Sequence, residues 1–327
     1  MINVRTDLAL EAKEMYQEKH KKEKDIDGIE VINEVDKDIK VTTVKVKDEN
    51  GSNKIGKPKG NYVTIEIPGF TAYDGETMDR VSQVVADVLS RMVKIEVKKT
   101  ALVVGLGNWK VTPDALGPKV TEGIMVTRHL KTVMPEVMDD SVRPVCSIAP
   151  GVLGITGVET VEIIRGLVQR VKPDVVICID ALAARRVERV NTTIQISDTG
   201  ISPGAGVGNN RKQINEDNLG VKVIAIGVPT VVDAVTIAND TIDMVIDSLM
   251  NSTSNENDFY KMLGSLDRNE KGTLIREVLS SKALGEMIVT PKDIDLVINS
   301  LAKIISNGIN MAVQPNMDME DINKFMN

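Results

Sequence analysis

Five consecutive apolar residues, Val175-Val176-Ile177-Cys178-Ile179, run into an acid at Asp180 and continue as Ala181-Leu182-Ala183-Ala184-Arg185-Arg186. A β-branched run without polar alternation belongs to a strand covered on both faces, as in the parallel sheets of α/β proteins. An acid that closes such a run is out of character in a core. It is in character at the carboxyl ends of strands, where open α/β sheets bind their ligands.

Working outward, Ala101 to Val104 and Val142 to Ile148 are extended runs, and Pro113 to Leu130 and Glu159 to Val171 carry helical spacing between them. Thr192 to Ile196 and Val221 to Ile226 supply further strands, and Val231 to Met250 continues as a helix. Strands separated by helices predict an α/β fold with a mostly parallel sheet covered on both faces. Upstream, Val41 to Val46 and Asn61 to Ile67 alternate around the polar Asp48-Glu49-Asn50-Gly51-Ser52-Asn53, which reads as a hairpin with a polar loop. Met78, Val81, Val84, Val85, Val88, Leu89 and Met92 recur at helical spacing and predict a helix from about 76 to 94. Downstream, 251–272 is polar and reads as a linker. Leu274 to Leu284 and Lys292 to Met311 look amphipathic, the second opening on Thr290-Pro291 as an N-cap and first helical residue. The chain therefore divides into a hairpin-containing extension up to residue 75, an α/β core over 76–250, and a linker with C-terminal helices over 251–327.

With 327 residues, 42% of them hydrophobic, the chain can bury a full core. Its net charge of -7 repels phosphate, and one Trp, four Tyr and three Phe leave few stacking surfaces, so direct nucleic-acid binding is not expected. A basic protein suits it better as a partner. Cys146 and Cys178 lie in apolar runs and read as reduced thiols in a cytoplasmic setting. No secretory leader or membrane span is expected, because the N-terminus lacks an apolar core and no apolar stretch nears the roughly 18 residues required.

Asp114, in Thr112-Pro113-Asp114-Ala115-Leu116-Gly117-Pro118, and Asp180 are the candidates for chemistry, because both are predicted to emerge at one edge of the sheet. Two carboxylates that share a proton divide the work: one is base toward a water, the other acid toward a carbonyl oxygen or a leaving amine. Such a pair titrates as a unit, so its activity should depend steeply on pH and be favoured by mild acid. Other readings stay open at this point: Asp114 as a carboxylate complementing a helix dipole, Asp180 as a loop cap. Arg185 and Arg186 either tune one carboxylate or are surface charges. Gly105-Leu106-Gly107-Asn108-Trp109-Lys110 lacks the third glycine of a dinucleotide fingerprint and reads as a tight turn. Ser202 to Asn209 reads as a mobile loop over the crevice. No cofactor is expected. The only histidines are His20 and His129, and on one helix over 113–130 His129 would stand roughly 22 Å from Asp114 at 1.5 Å per residue. A carboxylate-only Mg²⁺ site stays open.

At these residues the chain resembles the germination proteases of spore-forming Gram-positive bacteria. The resemblance runs over most of the chain and is most specific in Val4-Arg5-Thr6-Asp7-Leu8-Ala9, Ile67-Pro68-Gly69, Gly105-Leu106-Gly107-Asn108 with Thr112 to Pro118, Ala149-Pro150-Gly151-Val152, and Ile179-Asp180-Ala181-Leu182-Ala183. It implies an atypical aspartic endopeptidase that degrades small acid-soluble spore proteins, with Asp114 and Asp180 as the two essential aspartates. It further implies a three-layer sandwich like that of hydrogenase maturation proteases and a homotetramer made as a zymogen in the cytoplasm of the forespore and spore core. Family substrates are cut after an acid in sequences of the type Thr-Glu-apolar-Ala-Ser-Glu, and Thr6-Asp7-Leu8-Ala9-Leu10-Glu11 is a near copy. Self-cleavage between Asp7 and Leu8 is thus the expected activation step, with 1–7 as propeptide. Substrate is expected to lie extended in the crevice. A cation should select the acid before the cut, with Arg185, Arg186 and Arg211 as unranked candidates. The rivals are a metal-assisted hydrolase using the same carboxylates and a non-catalytic oligomer that sequesters basic spore proteins.

Overall fold

The computed structural model describes residues 6–20, 25–67, 74–136, 140–204, 211–252 and 287–326. One sheet organises the described chain. Its strands are β1 (Ile29–Asp36), β2 (Ile39–Val46), β3 (Gly60–Glu66), β4 (Ala101–Gly105), β5 (Val145–Ile148), β6 (Val175–Ala184), β7 (Thr193–Ser197), β8 (Lys222–Asp233) and the short β9 (Ile288–Val289). They lie in the order β1-β2-β3-β7-β8-β6-β4-β5, with β9 on β8.

The parallel core is β5-β4-β6-β8. It carries the fold expected from the apolar runs, and β7, β3, β2 and β1 extend it as an antiparallel wing. The predicted hairpin is therefore continuous with the central sheet through β3 and β7. Its connection is also more ordered than a polar loop: Asp48 caps helix α2 (Glu49–Ile55) by accepting the Gly51 N–H at 2.9 Å, and Gly56 ends it in the left-handed region. A capping acid followed by a helix-ending glycine offsets the polar composition that made this segment read as loop.

The remaining helices are α1 (Ala9–Lys19), α3 (Gly75–Val93), α4 (Leu116–Glu122), α5 (Leu130–Val133), α6 (Leu153–Thr156), α7 (Thr160–Val171), α8 (Glu216–Leu219), α9 (Ala234–Ser252), α10 (Ile294–Val313) and α11 (Met319–Met326). Strand residues of alternating parity feed two cores. Val103, Ile177 and Ile179 face α3, α4 and α10, packing with Val81, Val85, Leu116, Leu301 and Ile305. Leu102, Val104, Val176 and Cys178 face α7 and α8, packing with Val161, Ile164 and Leu219. Helix α1 closes the second face over the antiparallel wing, through Ala9, Leu10, Val44 and Tyr62.

Helix α10 is long and apolar enough to cross a membrane, yet most of it is buried inside this molecule. It clamps α4: Asn310 accepts the Met125 N–H at 3.0 Å and donates to the Gly123 carbonyl at 2.8 Å. Its cap is Asp293, while Thr290 donates to the Thr230 carbonyl on β8 instead. The expected helix over 274–284, the linker over 253–272 and most of the loop after Ser202 lie outside the described residues.

Candidate active site

Asp180 sits inside β6, at the sixth of its ten residues, rather than past the strand's end. The strand runs on to Ala184 because β8 keeps pairing with it, through a register shift at Leu182/Ala183. On its other side β4 stops: Gly105 is the last residue paired with β6, opposite Ile179, and the Leu106 N–H makes a final bond of 2.8 Å to the Ile179 carbonyl. Beyond that point the β4 edge of β6 is open, and Asp180 is the first residue there. It is 5% exposed.

The chain leaving β4 fills this opening with Asp114. Pro113 starts a 3₁₀ turn over Thr112–Asp114, where the predicted single helix over 113–130 gives way to separate turns and helices. The separation of His129 from Asp114 reckoned along one helix therefore does not apply. The turn is held on three sides. The Asn108 N–H donates to the Asp114 carbonyl at 3.0 Å, and Thr230 on β8 donates to the Pro113 carbonyl at 2.8 Å. At Gly107, φ is +116° and a Cβ would stand 2.0 Å from the Asp114 carbonyl oxygen, so only glycine allows this approach. A Cβ at Gly117 would likewise stand 2.2 Å from the Leu106 carbonyl oxygen and 2.6 Å from that of Ile179, which seats α4 directly on the strand ends.

Burial raises the Asp114 carboxyl from the ordinary 3.8 to about 6, against a backbone N–H from Asn108 that favours its charge. Asp180 is pushed well above the usual carboxylate range, first by burial, then by the charge of Asp114 and of Asp7. The charges of Asp114 and of Asp7 thus both bear on Asp180.

Asp7 belongs to the N-terminal segment. Leu8 is extended, at φ -83° and ψ 126°, and α1 starts at Ala9, so only the residues up to Leu8 fit the expected extended pose. The Asp7 carboxylate accepts the Ala183 N–H on β6 at 3.1 Å. The Asp7 carbonyl accepts from Lys57 Nζ at 2.9 Å and from Gln195 Nε2 at 3.2 Å. Gln195 reaches past Leu8 to accept the Ala9 N–H at 2.7 Å, and the Leu8 side chain is fully buried. Three residues further on, Glu11 is fully buried and accepts the N–H groups of Arg185 and Arg186 at 2.9 and 3.0 Å. The N-terminal segment therefore lies across β6 and β7 with its two acids held by backbone donors.

Of the three candidate arginines, two are engaged by Glu18. Arg185 is buried and pairs with Glu18 at 2.6 Å, and Arg186 pairs with Glu18 at 3.0 Å. Both guanidinium groups thus fasten α1, while their backbone N–H groups serve Glu11. Arg211 donates its N–H to the Pro203 carbonyl at 3.3 Å. A cation beside Asp7 among the described residues is Lys57, whose pKa burial lowers while Asp7 and Glu11 oppose the shift. Neither Lys57 nor Gln195 carried a sequence signal: Lys57 follows a helix-ending glycine, and Gln195 reads as one polar residue in a strand.

A groove of about 900 Å³ opens beside the segment, lined by Thr6, Asp7, Lys57, Gln195 and Gly227 among others. Cys178 is buried and its thiol pushed up by that burial, whereas Cys146 is only half-buried. Among the described residues no group of three or more His, Cys, Asp or Glu side chains could hold a metal ion.

Fold and site together define an α/β protein with a buried carboxyl, Asp180, where one strand outruns its neighbour, and a second raised carboxyl, Asp114, in the turn that leaves that neighbour. A family model described as germination protease matches residues 9–260 and 247–326. Germination proteases of Clostridium perfringens and Clostridium tetani are 60% and 56% identical, each covering 100% of both chains. That of Bacillus cereus is 44% identical over 99% of this chain and 97% of its own. The chain belongs to the germination protease family, and so is a peptidase with a role in spore germination. Among solved structures, a NiFe hydrogenase maturation protease, HycI from Thermococcus kodakarensis, is 20% identical, covers 43% of this chain and 80% of its own, and has a TM-score of 0.28.

Proposed function

We propose that the peptidase is an aspartate-dependent endopeptidase in which Asp114 and Asp180 share one proton. Asp180, more deeply buried and facing two other acids, keeps the proton, and Asp114 ionises first. Asp114 then takes a proton from a water, the water oxygen adds to the peptide carbon, and the proton on Asp180 passes to the departing amine. The products are a carboxylic acid and a new amino terminus.

The observation that carries this reading is the seating of the Asp7–Leu8 peptide, whose acid contributes to the raised pKa of Asp180 and whose carbonyl is held by two donors. Self-cleavage at that bond is the activation step, with 1–7 as propeptide and 76–250 as the core that carries the chemistry. Small acid-soluble spore proteins, cut after an acid in Thr6-to-Glu11-like sequences, are the substrates in germination. The family resemblance supports the homotetramer and a place in the forespore and spore core, which sedimentation and spore fractionation test.

Mass spectrometry of the purified full chain tests the reading. Wild type should lose the mass of residues 1–7, with a new terminus at Leu8, and should do so after exhaustive chelation. Asp114→Asn and Asp180→Asn should fold and keep their full mass. Complete processing by either variant would defeat the paired-aspartate assignment, and loss of wild-type processing on chelation would favour a metal-assisted reaction.

A further inference from the structure

A water that adds to a peptide carbon drives the carbonyl electron pair onto oxygen, and that new negative charge needs donors already in place. In this site the proton of Asp180 is destined for the leaving nitrogen, so the oxygen must be served by something else. Two side chains converge on it. Lys57 Nζ donates to the Asp7 carbonyl at 2.9 Å and to that of Thr6 at 3.0 Å, and Gln195 Nε2 donates to the Asp7 carbonyl at 3.2 Å. Only one orientation of the Gln195 amide satisfies the segment, since its oxygen takes the Ala9 N–H at 2.7 Å while its nitrogen faces Asp7. Gln195 also stands in register with Gly227, and Gly227 with Asp180, so the donor and the acid share one face of the sheet.

We propose that Lys57 and Gln195 are the oxyanion-binding pair of this peptidase. They hold the carbonyl oxygen of the residue before the cut and stabilise the charge it gains in the tetrahedral intermediate. The C–O bond forms as the water proton moves to Asp114, the carbonyl pair moves to the oxygen facing Lys57 and Gln195, and its return expels the Leu8 nitrogen with the Asp180 proton. A buried ammonium suits the task because its field acts at low local dielectric, and the burial that lowers its pKa is held in check by Asp7 and Glu11. Lys57 thereby links recognition to chemistry, since the same ammonium lies beside the Asp7 acid.

This inference rests on the paired-aspartate reading, and single-turnover self-processing of the full chain separates the two. In that assay the bond is already seated, so the rate reports chemistry. Lys57→Met should slow processing by at least about 100-fold and Gln195→Ala by at least about 10-fold, the range seen when oxyanion donors are removed. Hydrogen exchange at the Ala183 amide, which donates to the Asp7 carboxylate, should stay as slow as in wild type, showing that the segment is still seated. Lys57→Arg should recover part of the rate, and Gln195→Glu, which sets a carboxylate against the developing charge, should be slower than Gln195→Ala.

Unchanged rates in Lys57→Met and Gln195→Ala would overturn the pair. So would a rate loss matched by fast exchange at Ala183, which would leave both residues as mere supports for the segment. If Lys57→Met does not fold, as judged by its melting transition, the two Gln195 variants decide alone. Asp180→Asn run in parallel reports on the underlying reading: processing there removes the paired-aspartate mechanism and this inference with it, whereas an inert Asp180→Asn beside fully active Lys57 and Gln195 variants removes only the inference.

Discussion

Asp180 and Gln195 point to the same face of the sheet from strands β6 and β7, with only Gly227 of β8 between them in the row. Neighbouring strands lie about 4.8 Å apart, so the two Cα atoms are about 10 Å from each other, and the Leu182 side chain lies over the intervening Gly227. The glycine leaves room for Leu182, whose side chain lines the same groove as Asp7 and Gln195.

A side chain at Gly227 should therefore disturb the groove. A Cβ at Gly227 would stand 2.3 Å from Leu182 Cδ1, so Gly227→Val must push Leu182 aside and occupy the space beside Asp7. Self-processing, followed by mass spectrometry, should slow at least tenfold, while overpacking costs about 1–3 kcal/mol of stability. Processing at the wild-type rate would show that the peptide does not use this groove.

The coupled carboxylates predict a bounded pH profile. Asp114 must be ionised to act as base, so the processing rate should fall as pH drops through about 6, which puts the optimum above the mild acid expected from the sequence. Asp180 must hold its proton, so the rate should fall again at higher pH, where that proton leaves. Rates measured in one buffer series from pH 4.5 to 9 should thus rise and then fall. A flat profile would contradict a shared proton.

Raised carboxyls also lower stability. Below pH 3.8 Asp114 is protonated whether the chain is folded or not. Between 3.8 and about 6 only the folded chain keeps that proton, so stability falls as pH rises through the window, and above it the penalty is complete. With part of the group exposed, the penalty is on the order of 2 kcal/mol. Asp114→Asn removes it, and should melt roughly 4 °C above wild type at pH 7.5 and level with it near pH 3.5. Asp180→Asn should act in the same direction over a window that reaches higher. Melting curves at the two pH values check both.

Glu11 anchors the segment from the far side of the cut. Glu11→Ala leaves the N–H groups of Arg185 and Arg186 unpaired and removes the carboxylate 3.6 Å from Arg189. We expect a loss of about 3 kcal/mol in denaturant unfolding and at least tenfold slower self-processing. Unaltered processing would mean that the segment is registered by Asp7 and Leu8 alone.

Much of this molecule was legible in local pattern. The unbroken run up to Ile179 could only be a covered strand, the spacing of Val81, Val85 and Leu89 could only be a helix face, and an acid ending an apolar run announced Asp180. Those features rest on periodicity and on the cost of burying charge, which act over a few residues. The helix after Asp48 was hidden because its cap and its final glycine resemble a loop in composition. The break after Asp114 was hidden because its cause is contact with β4, β6 and β8.

The amino-acid sequence by itself determined the strand-and-helix alternation and the kinship of the chain. Only the tertiary structure decided that β6 outruns β4 and that Lys57 and Gln195 face the Asp7 carbonyl. Lys57 and Gln195 lie 50 and 188 positions from Asp7 along the chain. Strand pairing and burial bring them together, and those forces are set by the whole sheet rather than by any neighbourhood in the sequence.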